Sequence, residues 1–444
     1  MACVPPEPSR TGPVYGVTNR NRCRHVSDSS ADSTSRPVVY AVVASTFFVG
    51  FGGGVVFPIL PNLGEVLGIS AFMVGVILSA NRWTRLVANG PAGALVDRIG
   101  TRKPFVAGLA IEGAATAGYV VAITSAVPEF WFVLARVCWG VGSALVFATA
   151  YTITADVSDA GSRGESMGIV RAGITFGFPA GMVLGGLVSE VYGNVAAFVL
   201  AAGFAGLASI IAFFIVPETH VDSPDQSIKP WDLETTLPAL TVGLVNFGLY
   251  FAYFGVLFST LVLYLDAEST VLTLEVAGMG LEYGEQGTSG LLMAVSALSG
   301  ALFTILGGKI SDAVGARVPV LLVFLVTSCL GFAVLTVAPS LSVVVVACAL
   351  VGAGQGGVGG PLTALLADLT PEDRMGRAMG TNNVFGDVGG AVGPLLSLPF
   401  AEAIGFDVLY ALSATIPLLA GAILVVGIYS YTGSLSPTVE ESIV

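Results

Sequence analysis

Charge is scarce in this 444-residue chain: 11% of the residues are charged, against about 25% in soluble globular proteins. With 54% of residues hydrophobic, a soluble protein of this size could not cover its surface, and the bilayer is the expected solvent. Lysine is nearly absent, with Lys103, Lys229 and Lys309 beside fifteen arginines. The two histidines, His25 and His220, fall outside the long apolar runs, which argues against a histidine proton relay. Cys3, Cys23, Cys138, Cys329 and Cys348 show no paired spacing, so no disulfide framework or metal site is expected. There is no nucleophile–base set, phosphate loop or His-rich metal spacing. An enzyme, a cofactor and a nucleic-acid partner are therefore not expected. No cleavable signal peptide is expected either; residues 1–37 are polar and read as a disordered cytoplasmic tail.

Long apolar runs are abundant. A spanning helix needs about 20 mostly apolar residues. Twelve such stretches lie near 38–61, 71–95, 104–125, 130–155, 166–190, 196–216, 238–264, 287–310, 318–338, 341–367, 377–401 and 407–431. The expected class is an all-α membrane protein with twelve transmembrane helices in two six-helix bundles. The runs are too long and too continuously apolar for the alternating strands of a β-barrel. The 57 glycines suit close helix packing in lipid.

Basic residues orient the chain. Arg10, Arg20, Arg22, Arg24 and Arg36 lie in the first tail. Arg98, Arg102, Lys103, Arg163, Arg171, Lys229, Lys309, Arg317, Arg374 and Arg377 lie in or beside the loops on that same side. The opposite loops hold only acids, among them Glu65, Glu129, Glu190, Asp266, Glu268, Glu275, Glu282, Glu285, Glu402 and Asp407. A multi-pass protein of the cell membrane with both termini cytoplasmic is expected. A net charge of −12 with few lysines suggests a high-salt organism, because carboxylates keep a surface hydrated where repulsion is screened.

The chain reads as a duplication. Gly93, Asp97, Gly100 and Arg102 recur as Gly308, Asp312, Gly315 and Arg317, 215 residues later. Gly140-Val141-Gly142 and Met167-Gly168 recur as Gly352-Ala353-Gly354 and Met379-Gly380, 212 residues later. The expected division is a tail over 1–37, a first bundle over 38–216, a cytoplasmic linker over 217–237, a second bundle over 238–431 and a tail over 432–444.

At these residues the sequence resembles the major facilitator superfamily, in particular its twelve-helix drug:proton antiporters. Gly93-x-x-x-Asp97-Arg98-x-Gly100-x-Arg102-Lys103 is similar to the signature loop. That resemblance implies a cytoplasmic gating latch at Gly93, Asp97, Arg98, Gly100 and Arg102. Its second copy at Gly308, Asp312, Gly315 and Arg317 lacks the Arg that follows Asp97, and is expected to be weaker. Arg136, followed by Gly140 and Gly142, resembles an element that the family associates with proton coupling. A structural role on carbonyl groups is the alternative. Gly177, Gly181, Gly185 and Gly186 resemble the helix-5 antiporter motif, with Met182 where proline is expected; Gly393-Pro394 is the counterpart in helix 11. Either stretch could instead be a packing groove. Gly50 to Pro61 resembles the glycine-rich first helix of the antiporters, and a proline-broken outer end is expected.

Few polar residues fall inside the apolar stretches. Arg82 and Arg85 share a face, and Arg85 lies roughly 18 Å of helix from Asp97. Asp387 lies about 15 Å in from Arg377, and Glu112 about 13 Å in from Lys103. These carboxyls can bind and release protons in a desolvated setting. Asp387 is the preferred proton site, with a helix-packing hydrogen bond as the alternative. Glu112 could instead be the buried ion-pair partner of Arg82 or Arg85. Asn246, Tyr250, Gln355 and Asn383 complete the polar set.

The expected function is secondary active transport of a small organic solute by alternating access, with proton-coupled export of drugs or metabolites as the leading form. The arginines leave open an ion-coupled importer of an organic anion or sugar. A non-transporting sensor would need a signalling domain that is not visible. The expected partners are a small-molecule substrate, protons and the lipid bilayer, and the expected state is a monomer.

Overall fold

The computed structural model describes residues 29–158, 163–219, 233–268, 272–276, 279–337 and 340–435. The described residues form twelve long helices. The first six are α1 (Ser29–Val66), α2 (Ala71–Ile99), α3 (Arg102–Thr124), α4 (Pro128–Val157), α5 (Arg163–Tyr192) and α6 (Asn194–Ile215). The second six are α7 (Leu237–Ala267), α8 (Glu285–Val314), α9 (Arg317–Leu335), α10 (Leu341–Asp368), α11 (Met375–Ile404) and α12 (Phe406–Thr432). Eleven of them are apolar enough to cross a membrane by composition alone. The exception is α2, whose middle carries Asn81, Arg82 and Arg85.

Three details depart from the sequence reading. Helix α1 begins at Ser29, inside the tail expected to be disordered, because hydropathy marks where a helix meets lipid and not where its backbone bonding starts. Positions 1–28 of that tail, 220–232 of the expected linker and 436–444 lie outside the described residues. Helix α1 also runs unbroken through Pro58 and Pro61 to Val66, so the prolines do not end it. Between α7 and α8, β1 (Leu272–Val276) pairs antiparallel with β2 (Met279–Tyr283), adding a small hairpin to the helical fold.

The turns fix neighbouring helices antiparallel. Gly100 closes α2 with φ +85°, and Gly315 closes α8 with φ +69°. An L side chain is strained in this region, so glycine is the natural helix terminator. The recurring Gly-x-Arg is therefore first a turn, repeated once per copy.

Lipid offers helices no hydrophobic driving force toward one another, so close backbone packing has to hold them. Helix α5 shows how. Gly173, Gly177, Gly181 and Gly185 recur every fourth residue and lie against the backbone or Cβ region of α1 at Val43, Phe47, Phe51 and Val55. From α1, Gly50 and Gly54 return the contact against Ile174 and Phe178 of α5. The packing-groove alternative for the helix-5 motif is thus present.

Helices α1–α6 pack among themselves, as do α7–α12, and the two groups meet chiefly where α2 meets α11, α5 meets α8, and α1 meets α7 and α8. Two of these contacts are copies of each other. Gly75 of α2 sits against the carbonyl of Pro394 on α11, and Gly290 of α8 sits against the carbonyl of Met182 on α5. Gly75 and Gly290 are 215 residues apart, and Met182 and Pro394 are 212 apart. The contact uses a main-chain oxygen, which explains how Met182 can stand where a proline is expected.

All these contacts lie toward the end of the molecule away from the start of α1 and the finish of α12. We call that end distal and the other terminal. On α2, Val74, Gly75 and Ile77 to Ala80 are buried, whereas no residue from Asn81 to Pro91 is. On α8, the residues from Gln286 to Leu292 are buried except Leu291, whereas none from Ala301 to Leu306 is. The halves are closed at the distal end and parted at the terminal end.

Candidate functional site

Where the closed seam gives way to the opening, three charged side chains meet. The Asp387 carboxylate of α11 accepts from the Arg85 guanidinium at Oδ1. The same oxygen lies 3.5 Å from Arg82. These side chains keep a narrow contact with the opening, at 13% exposure for Arg82, 23% for Arg85 and 14% for Asp387. Residues three apart on a helix project from one face, which brings both arginines to one aspartate. The Arg82 guanidinium also lies against α11 at Gly390, where any side chain would collide with it, and stands 4.4 Å from the ring centre of Phe254. By the 215 and 212 offsets, the places of Arg82, Arg85 and Asp387 in the other seam are taken by Ala297, Gly300 and Thr175. The charge cluster therefore sits on one side of an otherwise duplicated contact.

Above the cluster, toward the distal end, rings close the path. Phe57 of α1 stands 5.7 Å from both Phe178 of α5 and Phe258 of α7. Phe254 stands 6.0 Å from Phe178 and 5.5 Å from Phe258. Phe254 belongs to a π-helical stretch of α7, Phe251–Leu257, a rare geometry found mostly at functional positions. The extra residue per turn accompanies the close approach of Gly255 to Gly393 on α11. The sequence reading missed this ceiling. Its signal is Tyr250, Phe254 and Phe258 at helical spacing.

The remaining candidates lie on α7, α10 and α11. Tyr250 packs 5.4 Å from Phe254. The Asn246 side chain donates to the Asn382 carbonyl of α11 at 2.9 Å. Asn383, one turn below Asp387, is exposed to the opening. Gln355 of α10 is half-buried, and its side-chain oxygen accepts nothing from a described residue.

Arg136 does not reach the opening. It is 2% exposed and donates to the carbonyls of Ile77 at 3.1 Å and Leu78 at 3.0 Å, and to the Asn81 side-chain oxygen at 2.7 Å. This is the carbonyl-pinned alternative, a rivet from α4 to α2. Glu112 is 1% exposed, and neither carboxyl oxygen has a hydrogen-bond partner among the described residues. The expected pairing of Glu112 with Arg82 or Arg85 is not made, because Asp387 engages both arginines.

At the terminal end the two latch copies differ. Arg317 donates to Asp312 at 2.5 Å, to Ser311 at 3.0 Å and to Asp368 at the end of α10 at 3.1 Å. In the first copy, Asp97 is exposed and forms no ion pair with a described residue, while Arg102 donates to the Phe213 carbonyl at 2.5 Å. The copy expected to be weaker is the engaged one, since Arg102 turns to α6 instead of to an aspartate. A side chain at Gly93 or Gly308 would begin in open space among the described residues, with nothing within 4 Å of its Cβ. Glu218, just after α6, caps the start of α3 by accepting from the Thr101 N–H at 2.7 Å. At the distal end, Asn62 of α1 donates to Glu285 at 3.2 Å, and Glu190 of α5 accepts from the Gly287 N–H of α8 at 3.4 Å. No cluster of possible metal ligands occurs among the described residues.

The sequence profile described as Major Facilitator Superfamily matches residues 42–280 and 256–441. Multidrug resistance protein 2 of Bacillus subtilis is 24% identical over 392 residues, covering 88% of this chain and 93% of that protein. The multi-drug resistance efflux pump PmrA of Streptococcus pneumoniae is 25% identical over 389 residues, covering 83% and 90%. An uncharacterized MFS-type transporter of Methanocaldococcus jannaschii is 24% identical, covering 87% and 96%. Among solved structures, a bacterial homolog of the human lysosomal transporter Spinster, in an inward-facing and occupied conformation, superposes with a TM-score of 0.72 at 15% identity, covering 92% of this chain and 98% of that one.

Proposed function

The chain belongs to the major facilitator superfamily, and within that family we propose that it exports a small organic solute across the cell membrane by alternating access, driven by protons. The observation that carries this reading is the Arg82–Arg85–Asp387 cluster. It joins the two halves near mid-membrane, at the point where the closed seam meets the opening. The efflux proteins matched along most of the chain support the direction.

The terminal end is cytoplasmic, because the basic residues gather there and the distal loops hold only acids. The conformation described is then the one that loads cargo from inside. Asp387 is the proton-carrying group. When the halves rock and α2 parts from α11, it loses both guanidinium partners, and this ties proton exchange at Asp387 to the change of access. Asp97 and Arg98 belong to a latch that closes in the opposite conformation, when the terminal ends of the halves meet.

Inside-out vesicles containing the overexpressed chain, given an acid interior and a panel of fluorescent organic compounds, test this reading. Uptake that collapses with the proton gradient and is lost in Asp387→Asn supports export. Uptake only by right-side-out vesicles under an inward gradient would reverse the direction and overturn it.

A further inference from the structure

We infer that the opening takes an organic anion with one negative charge and a planar apolar body, its carboxylate held by Arg82 and Arg85. This inference rests on the reading of that opening as the transport site.

Charge balance carries the argument. Among the described residues, five ionisable carboxyl and guanidinium groups lie well inside the long helices: Arg82, Arg85, Glu112, Arg136 and Asp387. Arg136 is spent on three acceptors of α2, and Glu112 is sealed at 1% exposure. Only Arg82, Arg85 and Asp387 reach the opening. Two positive charges therefore face one negative charge. The excess stays whatever the state of Glu112, because three arginines stand against two carboxyls. An uncompensated guanidinium in low dielectric is costly, and a partner carboxylate removes that cost.

The donors are also only partly used. Asp387 accepts both arginines through the single oxygen Oδ1. Each guanidinium offers five N–H donors in a planar fork that suits a carboxylate. A cargo carboxylate entering from the terminal end meets free N–H groups and brings the site to two positive and two negative charges. Its apolar body meets Phe254, already stacked on Arg82, with Phe57 and Phe178 beyond. A cation finds no second carboxylate there and meets two like charges.

The test is a binding series on the purified full-length chain in lipid nanodiscs, without a proton gradient. The probes are 1-naphthoate, 1-naphthylmethanol and 1-naphthylmethyl-trimethylammonium, which share one ring system and differ in charge. The expected order places 1-naphthoate at least tenfold tighter than the other two. Arg85→Gln and Arg82→Gln weaken 1-naphthoate at least tenfold, and Arg85→Lys, which keeps the charge without the fork, falls between. Asp387→Asn binds 1-naphthoate more tightly than the parent chain, because a neighbouring negative charge is gone and both guanidiniums are released to the probe. Thermal melting of each unliganded variant separates lost binding from lost folding. The inference is overturned if the cation binds best and Asp387→Asn abolishes it, if folded arginine variants bind 1-naphthoate undiminished, or if no probe binds. Failure of proton coupling in vesicles leaves these binding results standing.

Discussion

Arg85 and Asp387 lie 302 positions apart in sequence and form an ion pair that ties α2 of the first six helices to α11 of the second. The pair sits at the inner limit of the closed seam, so any motion that opens the distal end must break it. Asp387→Asn is expected to leave folding and solute binding in place while abolishing the response of transport to a pH gradient. Solute counterflow without a gradient, measured in proteoliposomes, should persist at near the parent rate. Loss of counterflow together with gradient-driven transport would assign Asp387 to structure alone.

Arg136 is expected to behave differently. Its removal orphans the Asn81 side-chain oxygen and empties a large buried volume. Leaving a buried acceptor without its donor costs about 1–3 kcal/mol, and the emptied volume adds to that. Arg136→Ala should therefore lower the melting temperature and the yield of folded protein sharply. Arg82→Gln, at the edge of the opening, should do neither. Arg136→Ala folding normally with altered coupling would contradict the rivet.

The glycines divide by what surrounds them. A Cβ at Gly181 would collide with the Phe51 backbone, and one at Gly54 with Phe178. A Cβ at Gly93 would meet no described atom within 4 Å beyond its own helix. Gly181→Ala and Gly54→Ala should each destabilise the chain by more than the roughly 1–3 kcal/mol of ordinary overpacking, because backbone must move. Gly93→Ala should be neutral or stabilising in this conformation, since alanine gains about 1 kcal/mol of helix propensity over glycine. Melting curves of the three variants side by side decide this.

Locking the distal seam should stop turnover. The Gln286 side-chain amide lies 3.4 Å from the Asn62 side-chain oxygen across the two halves. In a cysteine-free background, Asn62→Cys with Gln286→Cys is expected to cross-link under mild oxidation and abolish transport, with recovery on reduction. Either single variant should keep its activity. Full transport by the cross-linked form would mean that the distal seam need not open.

The second latch copy predicts a local effect. Arg317 links the end of α8 to the end of α10 through Asp312 and Asp368. Arg317→Gln should increase hydrogen exchange at these two helix ends, while Arg102→Gln should loosen the junction of α3 with α6. The ion pairs are partly exposed, so global stability should change by less than about 1 kcal/mol.

The twelve apolar runs, the duplicated Gly-x-Arg turn and the scarcity of mid-membrane charge were legible in the sequence because each depends on local composition or on a fixed offset. The family followed from the same residues. Hydropathy missed the early start of α1, the persistence of α1 through two prolines and the hairpin at 272–283, since none of these is required for burial in lipid.

Pairing was decided by tertiary structure. Nothing local distinguishes Arg136 from Arg82 and Arg85: all three are arginines inside helices. The fold turns one into the carbonyls of α2 and leaves two facing an aspartate that arrives from the far half. Glu112 lost its expected partner for the same reason, because which guanidinium reaches which carboxylate depends on how α2, α3 and α11 are rotated against one another. Composition determined that charges in the membrane must be few and compensated; the packing of two diverged copies chose which ones meet, and left one positive charge in excess where the halves part.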